Sequence, residues 1–224
     1  MISFLTTGCE KLDKLMCGGI PIGHITHIYG PAGTGKTTFA LQCSVNSALN
    51  GYKTVFIDTE GSFSIERLKQ ISEDYFDFVV RKIIVFHPST FGDQSDLIDI
   101  LDDMCDKNTR LIVFDTVTRL YRAELLEYRN THILQHELNR QMAFLFKIAK
   151  QKNVAVLLTN QVRSSFKEED LEAVASSIIN WWASIVIKFV REREVKRRAE
   201  IVKHYSKPSG ASITFFITSR GLNR

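Results

Sequence analysis

Eight consecutive residues, Gly30, Pro31, Ala32, Gly33, Thr34, Gly35, Lys36 and Thr37, satisfy the pattern Gly-x-x-x-x-Gly-Lys-Ser/Thr. In a chain of 224 residues with 12 glycines, the pattern arises by chance on the order of 0.5 per cent of the time. An apolar run ending at Tyr29 precedes it and a helical pattern follows, which is the setting that gives the motif meaning. Glycines let successive backbone N–H groups converge on phosphate oxygens, and the helix N-terminus adds its partial positive charge. Lys36 then reaches the β and γ oxygens, and the Thr37 hydroxyl ligates Mg²⁺. With Thr38 in the first helical turn, residues 30–38 are the expected ATP site.

A magnesium ion beside phosphates also needs a carboxylate at the end of a buried strand, and Leu111, Ile112, Val113, Phe114, Asp115 supplies one. Four apolar residues and an aspartate also describe any strand entering a turn; the upstream glycine loop is what makes Asp115 the expected metal ligand. Asp58, Thr59, Glu60, Gly61 follows another predicted strand. Parallel strands end on one edge, so Glu60 and Asp115 should converge with the loop. Glu60 is the candidate base for an attacking water. A carboxylate before Ser64 also suits a helix N-terminus.

The elements that would position these groups follow from periodicity. Strands are expected at His24–Tyr29, Lys53–Asp58, Lys82–Phe86, Arg110–Asp115 and Val154–Asn160, with helices near Lys36–Asn50, Ser64–Tyr75, Gln94–Lys107 and Ile133–Lys152. Leu134, Leu138, Met142, Leu145 and Ile148 draw one apolar face on the last helix. Five β-α alternations imply an α/β fold whose parallel sheet carries helices on both faces. After Asn160, a polar loop from Val162 to about Ser177 leads into strands at Trp182–Arg191, Arg198–Tyr205 and Ser212–Thr218. These read as an antiparallel extension of the same sheet, giving a single domain over residues 1–224.

Apolar residues make up 44% of the chain and charged residues 24%, which allows a large core and excludes a disordered chain. The longest apolar runs are far short of a bilayer span, and no cationic segment precedes an apolar one at the N-terminus. Cys9, Cys17, Cys43 and Cys105 lack metal-ligand spacing and read as reduced thiols of a cytoplasmic protein. The formal charge of +4 hides an asymmetry: residues 1–106 carry 8 basic and 14 acidic groups, residues 107–224 carry 21 and 11. A polyanion would therefore sit on the second half.

Thr6, Thr7, Gly8, Leu12, Gly18 and Gly19 ahead of the loop, then Ile57–Gly61, then Thr159, Asn160, Gln161 and Val162, stand in an order and spacing that resembles the RecA/RadA recombinase ATPases, most nearly their archaeal RadB group. The resemblance covers nearly the whole chain. It implies a RecA-type P-loop NTPase core in which Glu60 activates water and Gln161 senses the γ-phosphate. It also implies that the loops after Asp115 and Gln161 face DNA, with Arg122 and Arg129 in the first and Arg163 and Lys167 in the second. Three departures go with it. The helical DNA-binding domain and Phe-x-x-Ala linker of RadA-type recombinases do not precede this core, so filament assembly by that route is not expected. The position of a histidine near the γ-phosphate aligns with Trp181, which implies slow hydrolysis little stimulated by DNA, because indole carries no positive charge. The RadB-like Lys-His-Arg triplet reads Lys203, His204, Tyr205 here.

Lys196, Arg197 and Arg198 cluster at an expected hairpin turn, where they either contact DNA or simply face solvent. Trp181 and Trp182 offer π-faces to bases, although alternation into Ile185 and Ile187 places at least one in the core. His132 and His136 read as a helix face. Two functions stay open: a DNA-binding accessory ATPase of recombination and repair, nucleoid-associated, with repair proteins and a second copy as candidate partners, or a nucleotide-switched protein scaffold of the KaiC type that ignores DNA.

Overall fold

In the computed structural model, which describes residues 3–127, 131–161 and 175–223, the apolar runs become strands whose alternate side chains serve two cores. A short ribbon, β1 (Phe4–Leu5) against β2 (Ile20–Pro21), brackets α1 (Glu10–Leu15). The parallel strands are β3 (Ile25–Gly30), β4 (Lys53–Asp58), β5 (Ile83–Phe86), β6 (Thr109–Asp115), β7 (Ala155–Gln161) and β8 (Ala183–Arg191). Between them run α2 (Lys36–Leu49), α3 (Ile65–Ser72), α4 (Phe76–Val80), α5 (Phe91–Met104), α6 (Arg119–Glu127), α7 (Thr131–Lys152) and α8 (Ser176–Trp182). Antiparallel β9 (Lys196–Lys203), β10 (Ser212–Thr218) and β11 (Gly221–Leu222) extend one edge, giving the order β11-β10-β9-β8-β3-β7-β6-β4-β5.

Period-two alternation explains the layers. On β6, Ile112 and Phe114 join a core with Leu97, Leu101, Leu138, Met142 and Leu145 of α5 and α7. Leu111 and Val113 face the opposite way, toward Phe39, Leu41 and Leu68 of α2 and α3. The expected α/β architecture with its antiparallel extension is therefore the observed one.

Several boundaries move for local reasons. Thr90 and Asp93 form a reciprocal capping box, so α5 starts at Phe91, three residues before the expected position. Glu73 adopts φ 52°, which ends α3 at Ser72 ahead of a 3₁₀ turn and α4. Strand β9 begins at Lys196, so the basic triplet lies within a strand and not at the turn. Helices α1, α6 and α8 are too short for their periodicity to register, and Trp182, expected to open a strand, ends α8 instead.

Candidate nucleotide site

Strand order decides which residues meet. In adjacent strands Gly30 is level with Gln161, and Asp58 with Asp115, so the carboxyl ends of β3, β7, β6 and β4 form one rim. The glycine loop leaves β3 there and enters α2, whose N-cap is Gly35 at φ 95°. A side chain on Gly30 would come within 2.2 Å of the Phe189 carbonyl oxygen, so glycine is required where β3 ends beside β8. First-turn amides of a helix have no helical acceptor. Here they border a cradle of about 220 Å³ lined by Gly33, Gly35, Lys36, Thr37, Thr38 and Ile217.

Lys36 is only 8% exposed, and its Nζ donates to the carbonyls of Gly30 and Pro31, both at 2.9 Å. Burial pulls its pKa down to about 8, against the attraction of Asp115 and Glu60. Asp115 is buried and accepts hydrogen bonds from Thr159 and, at 3.3 Å, from Ser62. Its carboxyl is pushed above the ordinary range by burial, with bonds from Thr159 and Thr37 acting the other way. A buried carboxylate beside the Thr37 hydroxyl is a hard-oxygen donor set that suits Mg²⁺.

Glu60 is presented by a turn that Asp58 builds. Asp58 Oδ1 accepts the backbone N–H groups of Glu60 and Ser62, and its Oδ2 accepts that of Phe63. Thr116 Oγ1 donates to Glu60 Oε1 at 3.0 Å, and Arg119 Nε lies 3.5 Å from Oε2. Glu60 and Gln161 share a cleft of about 590 Å³ with Arg119 and Arg122. Arg122 is exposed, on the first full turn of α6. Chemically, the rim combines oriented N–H donors, one buried ammonium, a metal-suited carboxylate and a second carboxylate open to water.

The Rad51 family description matches residues 1–224. The chain belongs to the Rad51 family. It is similar to proteins named DNA repair and recombination protein RadB from Methanococcoides burtonii, at 34% identity over 97% of this chain and 96% of the relative, and from Pyrococcus furiosus, at 36% over 97% and 94%. A crystal structure titled as that of the RadB recombinase superposes with a TM-score of 0.85 at 35% identity, covering 98% of this chain and 99% of that one.

Within this Rad51-family core, the residues expected at the phosphate and metal positions converge, whereas those expected at DNA divide. Arg129, Arg163 and Lys167 lie outside the described residues. Lys196 pairs with Glu192 at 3.0 Å, and Arg198 with Glu192 and Glu200. Arg197 is corrected outright: on the buried face of β9 it is 6% exposed, and its guanidinium donates to four backbone carbonyls, so it offers no surface to DNA. Trp181 is corrected too. It lies at the C-terminal end of α8, just before β8 begins, and β8 runs parallel to β3, so Trp181 sits toward the edge opposite the glycine loop. The residue is 79% exposed, and Lys203 Nζ approaches its carbonyl. Trp182 meets Phe146 and is the partly buried one of the pair.

Sequence reasoning missed Arg119, Thr116, Ser62 and the architectural use of Asp58. Only the last had a signal: an aspartate followed by polar residues and a glycine is a side-chain-capped turn.

Proposed function

We propose that this chain is an ATP- and Mg²⁺-binding, DNA-binding accessory protein of homologous recombination and repair, with slow ATP hydrolysis, acting on DNA in the cytoplasm. The observation that carries the reading is the shared cleft: Glu60 and Gln161, next to the glycine loop, line the same space as the exposed Arg122. A nucleotide and a polyanion would thus meet across a few side chains. Membership of the Rad51 family and likeness to RadB proteins support the recombination role.

In this reading the loop amides and Lys36 hold the phosphates, and Thr37 and Asp115 hold Mg²⁺. The bound cation supplies charge neutralisation at the phosphates. Glu60 orients and deprotonates water, and Gln161 reports the γ-phosphate. Slow turnover follows from the engagement of both Glu60 oxygens, since Arg119 competes with water for Oε2. DNA would be held through its backbone, because the described residues contain no reading helix of the helix-turn-helix type.

The test is a salt series of single-stranded DNA binding, with no nucleotide, with ATP and with a non-hydrolysable analogue. ATP and the analogue should shift affinity equally, and Arg122→Ala should lower the log-log salt slope by about one. ATP binding without any DNA retention would favour the scaffold reading, and failure to bind ATP would overturn both.

A further inference from the structure

Arg197 stands out among the buried charges. Among the described residues no carboxylate lies within ion-pair distance of it. Its Nε donates to the carbonyl of Gly33 at 3.0 Å, and its Nη1 to those of Arg193, Glu194 and Lys196 at 2.7, 2.8 and 3.0 Å. It reaches Gly33 from β9, whose alternation turns Arg197, Ala199 and Ile201 inward, and it does not line the phosphate cradle. Gly33 itself has φ +74° with nothing within 4 Å of a would-be side chain, so side-chain packing does not hold this residue.

A trans peptide is planar, so its carbonyl and the next N–H point in opposite directions. Arg197 holds the Gly33 carbonyl without itself lining the cradle, so the Thr34 N–H, on the other side of that peptide, points away from the guanidinium. We propose that Arg197 is a positioning residue of the glycine loop, which sets the Gly33–Thr34 peptide so that the Thr34 N–H faces the nucleotide's phosphates. The same guanidinium closes the turn between β8 and β9, so loop and turn share one anchor. Only a fork serves both: Nε and Nη1 lie on a rigid plane, whereas a lysine ammonium at the end of a flexible stem offers one point. The inference rests on the nucleotide reading for its function, but not for its structural content.

Two measurements test it. Titration of the full chain with ADP and Mg²⁺ should show about a tenfold loss of affinity in Arg197→Met, since one charge-assisted bond organises a phosphate donor, with Arg197→Lys in between. At saturating ATP, kcat should stay within about twofold, because Glu60 and Asp115 are held by other residues. In nucleotide-free ¹⁵N-labelled protein, the Thr34 amide resonance should move in both variants while amides of α7 stay in place. An unchanged Thr34 resonance in Arg197→Lys overturns the proposal, and this reading survives if Arg197→Met does not fold. Normal ADP affinity in Arg197→Met, with Lys36→Ala deficient, overturns it while leaving the nucleotide reading intact. Absence of ADP binding by the parent chain defeats that reading, and the Thr34 resonance then still decides whether Arg197 sets the loop.

Discussion

Arg119 Nε stands 3.5 Å from Glu60 Oε2, while its Nη1 donates to the Thr59 carbonyl at 2.8 Å, so one guanidinium grips both the carboxylate and the backbone that presents it. The pair is partly open to solvent, with side-chain exposures of 50% and 30%, which limits its strength to about 0.5–1 kcal/mol. Arg119→Ala should free Oε2 for water and raise ATP turnover about two- to fivefold. Glu60→Gln should bind ATP as the parent does and lose turnover. Steady-state kinetics with separate nucleotide titrations check both, and a fall in kcat on Arg119→Ala would show that Arg119 assists catalysis.

If Lys36 holds a phosphate as proposed, nucleotide affinity should depend on pH. Burial lowers its pKa to about 8, and phosphate binding demands the ammonium. Affinity for ADP and Mg²⁺ should therefore decline as pH rises beyond about 8, and Lys36→Met should bind weakly with no such slope. Stability moves the other way. A folded pKa below the unfolded value of 10.5 means the unfolded chain holds more protons between about 8 and 10.5, so this group's contribution grows with pH across that window. Calorimetric titration at several pH values, and denaturation of parent and Lys36→Met in parallel, measure the two opposite trends.

His27, in the middle of β3, is fully buried, with Nδ1 2.9 Å from Asn180 Oδ1 and, among the described residues, no partner for Nε2. Burial drives its pKa down to about 4, with the Asn180 bond opposing. The neutral ring is thus the folded form. Its contribution is complete above the unfolded value of 6.5 and is lost as pH falls from 6.5 toward 4. The stability difference between the parent and His27→Gln should change by up to about 3 kcal/mol over that interval. A difference that is flat with pH, measured by urea denaturation, would contradict the assignment.

Trp181 tests the corrected placement. Because the residue is exposed at the edge away from the glycine loop, Trp181→Ala and Trp181→His should leave ATP affinity and kcat within about twofold of the parent. A gain of turnover in the histidine variant, in a coupled ATPase assay, would return this position to the phosphate site.

Local chemistry is what the amino-acid order determined. The glycine loop was legible because its need for positive φ and close backbone approach leaves a pattern in consecutive residues. Glu60 and Asp115 were legible because parallel strands bring their carboxyl ends to one edge whatever their separation along the chain. Tertiary structure alone decided three things. Arg119 pairs with Glu60 from 59 residues away in sequence, and nothing local to either residue encodes that meeting. Trp181 moved from the phosphate site because its position depends on where a seven-residue helix ends and a strand begins, and such short elements carry too few apolar repeats to set a boundary. Arg197 looked like its neighbours Lys196 and Arg198, and only the register of β9 turned it inward. A shift of one residue reverses every side chain of a strand, so the difference between a surface cation and a buried brace lies in pairing, not in composition.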